Sequence, residues 1–189
     1  MNDVGVTVAI LKNNSGSRQS ANGTPIAFRA REILENASNV DEAAKLFADR
    51  PVASNHFLLL ADPGHACIVW QDADGKVHRR DPSNGWLAWS NGEPDSAGIQ
   101  HEKRALRLAT AISAVPENVT DNWLKKNIVD VRLRMINAQV MLLKPAERSL
   151  ELATAKPWRA AGTQPWIRIP WQACGMAVTL TDNAGREQR

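Results

Sequence analysis

The side chains able to do covalent chemistry in this chain are few and scattered. Cys67 and Cys174 are its two thiols, and His56, His65, His78 and His101 are its four imidazoles. A thiol beside an imidazole can serve as nucleophile and base, so Cys67 with His56 or His65 is one combination to weigh. Cys67 sits inside the apolar run Ala66–Trp70, however, where a small buried hydrophobe is the expected role. Cys174, in Ala-Cys-Gly, reads as a free thiol. Two cysteines make neither a disulfide framework nor a metal cluster, and no two histidines have ligand spacing such as His-x-x-x-His. Neither a metal nor a cofactor is therefore expected.

The stretch from Val52 to Asn91 must position whatever chemistry there is. Four short runs, Phe57–Ala61, Ala66–Trp70, Lys76–Arg80 and Trp86–Trp89, are separated by Asp62-Pro63-Gly64, Asp72-Ala73-Asp74-Gly75 and Asp81-Pro82-Ser83-Asn84-Gly85. This punctuation predicts four strands and three turns. The two dense apolar runs predict strands covered on both faces, and the polar Lys76–Arg80 an edge. Asn55 and Asn91 stand at the start of the first run and the end of the fourth.

Before this stretch, Val4–Leu11 reads as a buried strand and Asn13–Gly23 as a loop. Pro25 opens a helix whose core face is Ile26, Ala30, Ile33 and Leu34. Asn39 with Glu42 three residues on forms a capping box for a second helix, with Val40, Ala43, Ala44 and Phe47 as its buried stripe and Pro51 as its end. After it, residues 92–98 form a loop, then a helix carries Ala105, Leu108, Ala109 and Ile112 inward until Pro116. Val119–Ile128 is a weaker helical stretch. Met135–Leu143 and Ser149–Ala153 read as a hairpin turned at Lys144-Pro145-Ala146-Glu147, with Ile136, Ala138, Val140 and Leu142 on one side and Leu150 and Leu152 alike. Pro157–Gly162 is loop, Trp166–Trp171 a short strand, and residues 172–189 a disordered tail. The sum is α+β, with residues 1–171 as a single domain.

With 189 residues and 43% hydrophobic content, the chain is long enough for one sizeable core. The net charge of +3 is spread over pairs such as Arg79-Arg80 and Lys125-Lys126, without a basic stripe, so nucleic acid is not an expected partner. No stretch approaches the roughly 20 apolar residues of a membrane span, and no signal peptide is visible. A cytoplasmic location follows as the expectation.

Ser-Asn-His-Phe at 54–57, the strand ending Leu60-Ala61-Asp62, the hairpin after it, Gly85-Trp86-Leu87 and Ser90-Asn91 together resemble one family, as does Met1-Asn2-Asp3-Val4-Gly5. It is the acyl-coenzyme A:6-aminopenicillanic acid acyltransferase-like (isopenicillin N acyltransferase-like, peptidase C45-type) family of N-terminal-nucleophile hydrolases. The resemblance implies a four-layer αββα sandwich and hydrolysis or transfer across carbon–nitrogen amide bonds, with a small acyl amide or acyl-coenzyme A as substrate. In that family an exposed cysteine attacks the acyl carbonyl, its own α-amino group acts as base, and an asparagine amide stabilises the oxyanion, a contribution of about 3 kcal/mol.

Asn55 carries over as that catalytic donor, after a small shift of register; a turn residue at the strand start is the alternative. Asn91, in Trp89-Ser90-Asn91, carries over as a substrate contact, although the family's following His is Gly92 here. Trp86 and Trp89 read as core, with Trp89 as a lining of the acyl pocket in the alternative. The family's Met-Asn-Glu-x-Gly strand follows its nucleophile, so the resemblance implies that the attacking cysteine lies outside this chain. The sandwich would then be incomplete at its N-terminus, and the chain would need the missing segment or self-association. A non-catalytic structural or binding remnant of the same fold is the competing expectation.

Overall fold

A computed structural model describes residues 1–13, 20–92, 119–130, 139–157 and 159–170, together with isolated helical residues between 103 and 110. In chain order the elements are β1 (Thr7–Lys12), α1 (Ile26–Asn36), α2 (Val40–Ala48), β2 (His56–Ala61), β3 (Ala66–Gln71), β4 (Val77–Arg80), α3 (Asp121–Asp130), β5 (Gln139–Lys144), β6 (Ser149–Thr154), a 3-10 turn (Ala161–Thr163) and β7 (Ile167–Pro170). The architecture is α+β. An antiparallel sheet runs in the order β1-β2-β3-β4, and a second runs β5-β6-β7.

Alternation along the strands divides the first sheet into two apolar faces. One carries Leu58, Leu60, Cys67 and Val69, packed with Val6 against Ile33 of α1 and Val40, Ala43 and Phe47 of α2. Burying each such large side chain contributes about 2 kcal/mol. The other face carries Leu11, Phe57, Leu59, Ile68 and Trp70, with Leu87 and Trp89 packed against it. The dense runs are thus covered on both sides, by helices on one and by an extended segment on the other.

Local chemistry explains where the helices begin. The Asn39 side-chain oxygen accepts the Glu42 N–H at 2.9 Å, as a capping box requires, while the Glu42 carboxylate reaches back to the Ser38 N–H. Pro25 directly precedes α1, whose buried residues include Ala30 and Ile33 but also Arg29, a fully buried guanidinium that the apolar period does not reveal. Its Nη1 donates to Glu32 and to the Leu46 carbonyl, tying α1 to α2.

Several expectations need correction. Trp86–Trp89 is not a strand: Trp86 makes one isolated bridge to Ser83, and the chain then runs extended without a ladder. Asn84 and Gly85, both with positive φ, form the two-residue turn that this bridge closes. At the N-terminus the strand starts at Thr7 rather than Val4, which is half exposed. In β6 the inward residues are Ser149, Glu151 and Ala153, not Leu150 and Leu152. The pairings Leu143↔Leu150 and Met141↔Leu152 put those leucines on the face opposite to Val140 and Leu142. Glu151 is tolerated inside because Lys125 of α3 reaches its carboxylate.

The Trp166–Trp171 strand is present as β7, paired with β6. Of the expected third helix, Ala105, Leu108 and Ile112 lie outside the described residues, as do Ile136, Ala138 and the tail from 171 onward. The two sheets meet where the β5–β6 turn touches the N-terminal segment. Arg148 donates to the Asp3 carbonyl at 3.1 Å. Gly5, at φ 95°, lies so near the Pro145 carbonyl that a Cβ would approach it to 2.9 Å.

Candidate functional site

The β1–β2 ladder continues one step past the Lys12↔His56 pair, where the Asn13 backbone N–H donates to the Asn55 carbonyl at 3.2 Å. Two asparagines therefore stand side by side at one end of the first sheet, Asn13 buried and Asn55 half-buried. Asn13 was hidden in the sequence by its place at the head of a polar loop cluster. Its signal was the ladder itself: β1 antiparallel to β2 makes residue 13 the partner of residue 55.

The same end of the sheet is aromatic. Phe57 pairs with Trp70 in register, and their rings meet edge-on at 5.9 Å. Trp89 joins from the extended segment, 5.5 Å from Phe57 and 5.3 Å from Trp70 between ring centroids. His78 stacks on Trp70 from β4, held by Asp72 at 2.7 Å. The hydrogen bond from His78 holds the Asp72 carboxyl below its usual range. Trp89 thus reaches the strand end that begins at Asn55, through Phe57. Its indole Nε1 is buried with no acceptor among the described residues. Ser90 is buried, its hydroxyl accepting the Gly92 N–H at 3.3 Å, and Asn91 between them is half-buried.

The cysteine–histidine idea fails on this geometry. Cys67 is fully buried on the helix-covered face, and burial pushes its thiol up to about 11. At neutral pH it is a thiol rather than a thiolate, hence a poor nucleophile. His56 is engaged with Ser54, whose hydroxyl lies 3.1 Å from Nδ1, and His65 faces Asp81 at 3.4 Å. Cys174 lies outside the described residues. Among the described residues no group of three or more His, Cys, Asp or Glu is placed to hold a metal ion.

Asp62, closing the Leu60-Ala61-Asp62 run, is an organising residue as well as the turn residue that the sequence marks. One carboxylate oxygen accepts the N–H groups of Gly64 and His65 at 2.7 Å, and the other accepts that of Val40 at 2.8 Å. It therefore fixes the β2–β3 turn and the N-terminus of α2 together. Burial would push this carboxyl up, but the three backbone donors outweigh it and hold it below the usual range.

The family model described as Acyl-coenzyme A:6-aminopenicillanic acid acyl-transferase matches residues 1–111. The chain belongs to this acyltransferase family. The matched part of this acyltransferase-family chain contains the whole β1–β4 sheet, α1, α2, Asn55, Trp89 and Asn91, and it includes Cys67 but not Cys174. No curated protein matches the chain. Among the described residues no helix is long and apolar enough to cross a membrane.

Proposed function

We propose that this chain forms the substrate-holding body of a cytoplasmic amidohydrolase or acyltransferase of the N-terminal-nucleophile class, acting on carbon–nitrogen amide bonds. Asn55 donates its side-chain amide to the oxyanion of the tetrahedral intermediate. Trp89 and Asn91 line the substrate, Trp89 against the acyl group and Asn91 at its polar end. The substrate is a small acyl amide or an acyl-coenzyme A. The attacking thiol is neither Cys67, which is buried and neutral, nor Cys174, which falls outside the family-matched residues; it is supplied by polypeptide other than this chain. In the complete enzyme the two sheets form the middle layers of an αββα sandwich.

The observation that carries this reading is the convergence, within the family-matched residues, of Asn55 and an apolar aromatic cluster on one sheet end. An acyl-transfer site needs a polar donor beside a dry surface that excludes water. The inert Cys67 favours a second reading, in which the fold is a non-catalytic binding relative. Asn55→Ala in the native protein separates the two. The enzymatic reading expects acyl transfer slowed by about 100- to 1,000-fold, the cost of one oxyanion donor, with the thermal midpoint little changed. A protein that binds acyl amides but never turns them over supports the non-catalytic relative.

A further inference from the structure

β4 is the polar strand Val77-His78-Arg79-Arg80, and alternation sends its side chains to opposite faces of the first sheet. Val77 packs on the helix-covered face. His78 turns the other way and stands opposite Trp70 of β3 on the aromatic face. Two constraints hold it there, one on the face of its ring and one on the edge. The imidazole lies flat on the Trp70 indole, 5.1 Å between centroids and 13° from parallel. Its Nε2 lies 2.7 Å from the Asp72 carboxylate. An ionised carboxylate only accepts, so Nε2 carries the proton and the tautomer is fixed. Asp72 is itself pinned, its other oxygen accepting the N–H groups of Asp74 at 3.0 Å and Lys76 at 2.9 Å. A chain of fixed groups thus runs from the backbone of the β3–β4 turn to the face of Trp70.

Trp89 needs such a support more than its neighbours do. Phe57 and Trp70 are set in place by the β2–β3 ladder. Trp89 follows Trp86, which makes one isolated bridge, and the segment between them joins no ladder. Its ring is therefore placed by the rings it packs on, Phe57 at 5.5 Å and Trp70 at 5.3 Å between centroids. From this geometry we infer that His78, anchored by Asp72, is a positioning residue that fixes Trp70 and through it Trp89, and so determines which acyl groups the site accepts. This role rests on the reading in which Trp89 lies against the acyl group. Releasing His78 frees the Trp70 indole to turn about its side-chain bonds, and Trp89, without a ladder, follows it. A small acyl group touches little of that surface, whereas a long one depends on all of it. The loss therefore falls on discrimination between acyl groups rather than evenly on all of them.

The test compares octanoyl with acetyl donors, as coenzyme A thioesters and as amides, in the native protein, in His78→Phe, in Asp72→Asn and in the double variant. His78→Phe keeps a flat ring for Trp70 but loses the donor. Asp72→Asn keeps an oxygen for the N–H groups of the turn but loses the carboxylate that holds Nε2. Each single variant should lower the octanoyl-to-acetyl ratio of kcat/KM by about 10-fold, with the thermal midpoint little changed. The double variant should be no worse than either, since the same link is cut in all three. If His78→Phe fails to fold, the ratio in Asp72→Asn decides the matter. An unchanged ratio in variants of a protein that turns over both donors, a fall confined to His78→Phe, or additive losses in the double variant would each overturn the role of His78 and leave the proposed function standing. A native protein that turns over no acyl donor would overturn both.

Discussion

Asp62 and Val40 are 22 positions apart in sequence, yet the carboxylate of one accepts the backbone N–H of the other at 2.8 Å. This contact satisfies an otherwise orphaned donor at the start of α2 and couples the helix to the β2–β3 turn. Folding of the family-matched sheet and its helical cover therefore share one ionised group.

Asp62→Ala should cost about 2 kcal/mol, because it strands backbone donors that a charged acceptor now satisfies. The carboxyl is depressed in the folded state, so its contribution is complete above the unfolded aspartate value near 4 and is lost as pH falls towards the folded value. Urea denaturation between pH 6 and pH 3 should show a steeper loss of stability for the native protein than for Asp62→Asn. Parallel pH profiles would remove Asp62 from this role.

Cys67 should resist thiol reagents in the folded protein and react fully in denaturant, since its thiol is buried and raised to about 11. A Cys174→Ser background isolates the signal. Fast labelling at neutral pH would mean that the helix-covered face opens readily.

The aromatic cluster should be structural as well as site-forming. Phe57→Ala removes a fully buried ring and is expected to destabilise by about 4 kcal/mol. Phe28→Ala, on the exposed surface of α1, should stay within about 0.5 kcal/mol in chemical denaturation. Equal effects would contradict the assignment of faces.

Asn39→Ala should lower stability by about 1 kcal/mol, through loss of the bond from Asn39 to the Glu42 N–H. Restoration of most of that loss in Asn39→Asp is the companion measurement, with recovery expected from any acceptor at this position.

Much of this is legible in the sequence. Pro25, the Asn39–Glu42 spacing and the stripe Val40, Ala43, Phe47 are local signals, and local signals decide helices. The strands β2 and β3 were legible because apolar runs between turn residues have few other outcomes. What escaped depends on partners remote in sequence. The alternation in Ser149–Ala153 sets Leu150 and Leu152 on the apolar side of the hairpin, whereas Lys125 and Lys144 beside Glu151 allow the polar face of β6 to be buried. Arg29 is likewise tolerated inside through the Leu46 carbonyl and Glu32. The Asn13–Asn55 neighbourhood emerged only with the register of β1 on β2. Trp86–Trp89 had the composition of a strand but found no ladder beyond one bridge.

The site of covalent acylation tests the account most directly. The native protein, exposed to an acyl-coenzyme A and quenched during turnover, should yield on peptide mapping a thioester on a cysteine that is neither Cys67 nor Cys174, with the adduct forming more slowly in Asn55→Ala. An acyl group on Cys67 or Cys174, or an adduct whose formation ignores Asn55→Ala, would contradict it.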